Sequence, residues 1–86
     1  MHDSRHVLAL LRRYISAEVL EGRDEGLEPT SPLLAWGVIN SLEMARLAAY
    51  IRREFGVEVP ADRMLPQHFK DLNAITALVV ELRNAR

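Results

Sequence analysis

Apolar residues recur at helical spacing in three stretches of this chain, and the intervals between them break that rhythm. From Asp3 to Glu21, Leu8, Leu11, Ile15 and Val19 share one face, with Val7 and Tyr14 flanking it. Arg12, Arg13 and Glu18 fall on the solvent side. Asp3 or Ser4 can cap the start of this first helix and Gly22 can close its end. A second helix is predicted over Ser41 to Phe55, where Met44, Leu47, Ala48, Ile51 and Phe55 form the inward stripe. Gly56 ends it, as a left-handed residue just past a helix terminus should. The last pattern, Leu72 to Asn84, places Ile75, Leu78, Val79 and Leu82 on one face, with Asp71 as N-cap.

The intervals read differently. Gly22 to Ile39 has no period and carries Gly26, Pro29 and Pro32, so it is a long loop. Loops of that length in compact domains are usually functional or unordered. Leu27, Leu33, Leu34, Trp36, Val38 and Ile39 give it apolar anchors, which predicts a loop pinned across the helices. Trp36, the one tryptophan, is expected to plug the core in preference to binding a ligand. Gly56 to Pro60 is an extended connection with Val57 and Val59 inward, since no second strand candidate is visible to pair with it. Pro66 can start a helix but not continue one, so one or two turns are expected over Pro66 to Phe69, with Phe69 buried. These elements make an all-α fold, a small bundle of three main helices plus a short helix before the last. One domain spans residues 1–86.

Composition narrows the function without changing that picture. A chain of 86 residues buries roughly 60% of its unfolded surface, a modest margin. Hydrophobic residues make up 49% and charged residues 27%, which suits a compact domain and argues against disorder. The net charge of −1 lacks the basic field a nucleic-acid binder needs. Without cysteine there is no disulfide, thiolate metal site or cysteine nucleophile. The polar start, Met1 to His6, lacks a signal peptide's apolar core, and no apolar run reaches membrane-spanning length. A cytoplasmic, monomeric protein without nucleic-acid or membrane partners is expected. His2 and His6 are one helical turn apart, but two ligands with no third nearby read better as solvated side chains than as a metal site.

One serine stands apart. Gly37-Val38-Ile39-Asn40-Ser41-Leu42 sets Ser41 where an apolar loop gives way to the second helix. Its hydroxyl is expected to face water, beside the unpaired N–H groups of the first turn and the positive end of the helix dipole. A phosphate on this hydroxyl is stabilised there. Hydrolytic chemistry fits badly: Ser41 is not in a Gly-x-Ser-x-Gly elbow, and nothing aims His2, His6 or His68 at it. Asp24 and Glu25 lie in a polar loop without the apolar setting that splits carboxylate pKa values. His68 reads as a surface residue on the short helical turn. The outward face of the second helix carries Leu42, Ala45, Arg46, Ala49, Arg52 and Arg53, a shallow apolar strip bordered by cations that can serve as a docking surface.

Gly37 to Met44 resembles the prosthetic-group attachment motif of acyl and peptidyl carrier proteins, commonly Gly-x-x-Asp-Ser-Leu. Glu54-Phe55-Gly56-Val57-Glu58-Val59-Pro60 is similar to the end of that family's second helix and the segment after it. Phe69 to Ile75 is similar to the entry into its last helix, particularly in stand-alone carriers such as D-alanyl carrier proteins. The likeness covers nearly the whole chain in order and spacing. It implies a four-helix carrier and no enzyme activity of its own. Ser41 would receive covalent 4′-phosphopantetheine from coenzyme A through a phosphopantetheinyl transferase. The arm's thiol would then hold an acyl or aminoacyl group as a thioester. An adenylation enzyme or acyltransferase would load it, and synthase or tailoring enzymes would use it.

Two departures bear on partners. Asn40 stands where the family usually has aspartate, which leaves the cap intact but removes a charge a transferase could engage. Arg46, Arg52 and Arg53 replace the acidic second helix of fatty-acid carriers, which favours partners from polyketide or nonribosomal peptide biosynthesis. Docking is expected on Leu42, Ala45, Arg46, Ala49 and Arg53. Because the chain opens with Met1 and ends soon after its last helix, it is expected to be free-standing. The competing reading is a helical protein-interaction module with no prosthetic group; a compact DNA-binding domain is disfavoured by the charge.

Overall fold

A computed structural model describes residues 4–22 and 26–85. The described residues form α1 (Ser4–Tyr14), α2 (Ser41–Phe55), α3 (Pro66–Phe69) and α4 (Leu72–Asn84), with one π-helical turn at Ile15–Val19 and one 3₁₀ turn at Ala61–Arg63. The three long helices and the short one before the last stand where the periodicity puts them. Asp3, the alternative cap for α1, and His2 lie outside the described residues.

The first helix departs from expectation in two ways. Its α geometry ends at Tyr14, and the chain widens into a π turn closed by Leu20 N donating to Ile15 O at 2.9 Å. Gly22 N then closes on Ser16 O at 2.7 Å, with Glu21 and Gly22 both left-handed. The wider turn shares one inward position between Val19 and Leu20, which both pack half-buried against the core. The inward stripe is also rotated: Val7, Leu11 and Ile15 are fully buried, whereas Leu8 and Val19 are only partly so.

The core collects those three residues with Met44, Leu47 and Ile51 from α2, Phe69 from α3, and Leu72, Ile75, Leu78 and Val79 from α4. Leu27, Leu33, Ile39 and Val57 seal it from the connections. Tyr50 of α2 stacks on Tyr14 of α1 at 4.3 Å between ring centroids, and its hydroxyl donates to Leu10 O at 3.3 Å. That pair is a second tie between the helices, and its half-buried rings escape a search for strictly apolar stripes. On α4, Leu72 and Thr76 are buried beyond the expected face. Thr76 Oγ1 is the one buried side-chain oxygen without a partner among the described residues.

The connections are more ordered than their composition suggests. Val57 and Val59 turn inward, as expected of an extended segment without a pairing strand. The 3₁₀ turn after them was not expected; Arg63 forks onto Glu81 of α4, holding this connection to the last helix. That hydrogen-bonded pairing draws the Glu81 carboxyl below the usual carboxylate range and pushes Arg63 up. Pro66 takes the first position of α3 and Phe69 is fully buried.

The long loop bears most on function. Ser31 is buried, its Oγ accepting from Glu28 N at 2.8 Å and donating to Gly26 O at 3.3 Å. Leu33 N donates to Lys70 O at 2.8 Å and Asn73 N donates to Pro29 O at 3.1 Å, stitching the loop to the α3–α4 junction. The loop is pinned across the bundle as its apolar anchors predict, with one exception. Trp36 does not plug the core: it is 67% exposed. Buried Leu33 receives the amides of both Val38 and Ile39 on its carbonyl, so the chain doubles back there and the tip between them turns outward.

Candidate functional site

The local chemistry of residues 37–44 sets up the start of α2. Gly37 is left-handed at φ +73°, the chain bends through Val38 and Ile39, and Asn40 is extended at φ −129° and ψ −169°. Asn40 is the N-cap: its Oδ1 accepts from Glu43 N at 3.0 Å, and its carbonyl accepts the first helical bond from Met44 N at 2.8 Å. One of the four amides that a helix start leaves open, that of Glu43, is thereby satisfied. Those of Ser41 and Leu42 are not claimed by any other described residue.

Ser41 is therefore the first residue of α2, exposed, at the positive end of the helix dipole. Its hydroxyl takes part in no hydrogen bond among the described residues. Leu42, next to it, is 59% exposed despite its size. Ala45, Arg46, Ala49, Arg52 and Arg53 are also exposed along the helix, as the outward face predicts. Arg46 stands 4.0 Å from Glu43, at the edge of an ion pair and worth little in solvent. Arg53 lies over the Tyr50 ring at 6.0 Å from its centroid, so that cation covers an aromatic face of the bundle.

The arrangement suits a modified serine and not a catalytic one. No hydrogen bond joins Ser41 to a histidine among the described residues; His6 is exposed on α1 and His68 is half-buried on α3. No group of three or more His, Asp or Glu residues able to hold a metal ion occurs among the described residues. A surface groove of about 360 Å³ lies between α1 and α2, lined by Leu10, Arg13, Tyr14, Ala17, Glu18, Tyr50 and Glu54. Burial raises the phenol pKa of Tyr14, aided by Glu43, and that of Tyr50, aided by Glu54, so neither supplies a base near neutral pH. Among the described residues no helix is long and apolar enough to cross a membrane.

A phosphodiester fits these residues. It needs an accessible oxygen to bond to and nearby hydrogen-bond donors. Ser41 and the two unclaimed amides meet those needs, and the neutral Asn40 cap adds no carboxylate to that of Glu43 in the first turn. Sequence reasoning pointed to this serine and its cap; it missed the exposure of Trp36 and Leu65, at 67% and 41%.

Comparison with known proteins agrees with the geometry. Residues 9–79 match the family model described as "Phosphopantetheine attachment site". The chain is 26% identical over 73 residues to the probable acyl carrier protein PigG of Serratia sp. (strain ATCC 39006), spanning 85% of this chain and 84% of that protein. It also superposes on a chain of a solved structure described as "Crystal structure of FAD-dependent dehydrogenase", with a TM-score of 0.76 and 34% identity. That match spans 81% of this chain and 99% of the other. The reading as an interaction module without a prosthetic group gives way to these matches. The chain belongs to the phosphopantetheine attachment family: it is an acyl-carrier-type protein, not an enzyme, and holds 4′-phosphopantetheine covalently.

Proposed function

We propose that Ser41 is the residue that receives 4′-phosphopantetheine, and that the arm's thiol carries an acyl or aminoacyl thioester for a specialised polyketide or nonribosomal peptide pathway. The observation that carries this reading is one exposed, unbonded hydroxyl at the first position of α2, inside the matched family span. Attachment leaves Ser41 Oγ esterified to the phosphate, with adenosine 3′,5′-bisphosphate as the leaving group from coenzyme A. The chain performs no chemistry afterwards. A rigid helix start anchors a flexible tether, so the cargo meets successive active sites at high effective concentration. Incubation with coenzyme A and a broad-specificity phosphopantetheinyl transferase should add one phosphopantetheine to the wild type and none to Ser41→Ala, read by intact mass. A wild type left unmodified by several such transferases overturns the assignment.

The exposed face of α2, Leu42, Ala45, Arg46, Ala49 and Arg53, is proposed as the docking strip. Its cations select against partners evolved for an acidic carrier helix, which supports specialised over bulk fatty-acid synthesis. Arg46→Glu with Arg53→Glu should slow loading by the cognate adenylation enzyme or acyltransferase at low salt; unchanged kinetics remove this part of the reading. The solved structure adds a candidate downstream step. About 70 residues of this chain, 81% of 86, match 99% of a chain of that size in a structure described as an FAD-dependent dehydrogenase. That supports a flavin-dependent dehydrogenase among the enzymes the loaded arm visits.

A further inference from the structure

We propose that Trp36 is the principal apolar anchor by which enzymes acting on Ser41 or its arm hold this carrier. The inference rests on the carrier reading above and adds a contact outside the α2 strip. Three large hydrophobic residues are exposed among the described residues: Trp36 at 67%, Leu42 at 59% and Leu65 at 41%. Two of the three, Trp36 and Leu42, flank Ser41 in the chain. Leu42 directly succeeds Ser41. Trp36 precedes it by five residues, which reach at most about 18 Å even fully extended. Leu65 opens α3, and the far end of that short helix, at Lys70, bonds the loop that carries Trp36 through Leu33 N. Two of the three exposed large apolar groups thus lie within five residues of Ser41, where partners must come.

The indole is presented on a fixed backbone. Trp36 N donates to Pro32 O at 3.0 Å, Gly37 N to Leu34 O at 3.1 Å, and Val38 N and Ile39 N both to Leu33 O, at 2.8 and 3.2 Å. Leu33 beneath this turn is fully buried and tied to Lys70. A large side chain held outward on a braced turn loses little further backbone freedom on binding, and tryptophan is the residue type most enriched at energetic centres of interfaces. The exposed arginines of α2 lie on the helix that Ser41 opens, so the matching partner surface is an apolar pocket flanked by carboxylates. The occupant is therefore an enzyme surface, in preference to the carrier's own arm or a second copy.

Because the chain holds one tryptophan, 5-fluorotryptophan labelling gives a single fluorine resonance that reports this side chain alone. The probe partner is a broad-specificity phosphopantetheinyl transferase. Adding it without coenzyme A should shift or broaden the resonance, in the wild type and in Ser41→Ala alike. Attaching the arm, or concentrating the carrier alone, should leave the resonance in place. In steady-state loading with coenzyme A, Trp36→Ala should raise the KM for carrier by about tenfold or more, with kcat held within about twofold. Trp36→Phe should recover part of the loss, and the penalty should persist at high salt because the lost contact is apolar. Thermal stability of Trp36→Ala should match the wild type, since the ring is exposed; a large fall in melting temperature would assign it a folding role and overturn the proposal. A resonance indifferent to the transferase together with an unchanged KM overturns it too. So does a shift caused by the arm alone, which assigns the ring to the cargo, or by concentration alone, which assigns it to self-association. If the transferase moves the resonance yet adds no mass to the wild type, the Ser41 reading fails while the docking surface stands. If mass is gained while the resonance stays silent and the KM is unchanged, only the Trp36 proposal fails.

Discussion

The starts of α2 and α4 use the same local solution and end in opposite surroundings. Asn40 and Asp71 are both extended N-caps whose Oδ1 accepts the third helical amide, from Glu43 at 3.0 Å and from Ala74 at 2.7 Å. At α4 the first residue, Leu72, is fully buried, and the second amide, that of Asn73, is taken by Pro29 O. At α2 the corresponding residues, Ser41 and Leu42, are exposed and their amides stay unclaimed. The cap differs as well: Asp71 places a carboxylate at the N-cap of α4, whereas the α2 cap, Asn40, is neutral and the one acidic residue of that first turn is Glu43. A helix start alone therefore makes no attachment site. What distinguishes α2 is that the long loop spends its backbone bonds sealing the α3–α4 junction and leaves the other helix start open.

The largest effect that breaks this comparison comes from its leucines. Leu72→Ala removes a fully buried side chain from the core and should cost about 2–5 kcal/mol. Leu42→Ala removes an exposed one and should change stability by less than about 0.5 kcal/mol. Urea unfolding monitored by circular dichroism gives both values. Similar losses in the two variants would mean that Leu42 supports the bundle, and the idea that α2 begins in the open would fall.

The two starts were not equally legible in the chain. Their caps were, because an Asn or Asp ahead of a periodic apolar run satisfies amides whatever lies around it. The bounds of α2 and α4 come from that chemistry and from the left-handed Gly56. The openness of one start and the closure of the other were not, because they depend on where a loop distant in sequence lends its carbonyls. Pro29 and Lys70 act through backbone atoms that carry no sequence signal. Trp36 shows the same limit from the other side: size and apolarity point inward, but a turn closed on the Leu33 carbonyl points it out. The π turn after Tyr14 escaped for a third reason: it adds about one residue to the turn, and two adjacent apolar residues, Val19 and Leu20, suit either register.

The comparison is sharpened by moving one feature of α4 to α2. Asn40→Asp gives α2 the anionic cap of α4 while keeping the cap bond to Glu43 N, and the two cap types are nearly equal in strength. The unmodified variant should therefore unfold within about 0.5 kcal/mol of the wild type. The arm-bearing forms should differ. In the wild type the phosphodiester meets a helix end with a neutral cap, Glu43 being the one acidic residue of the first turn, and gains about 0.3–1 kcal/mol from the dipole. In Asn40→Asp it meets a carboxylate at the same end, and repulsion offsets that gain at low ionic strength. Melting temperatures of both proteins, with and without the arm, should show a rise on modification in the wild type and a smaller rise or none in the variant. Raising salt to about 0.15 M or above, where screening acts over roughly 8 Å, should narrow the difference. Equal rises at low salt would mean that the phosphodiester draws nothing from this helix end, and that exposure alone separates the start of α2 from the start of α4.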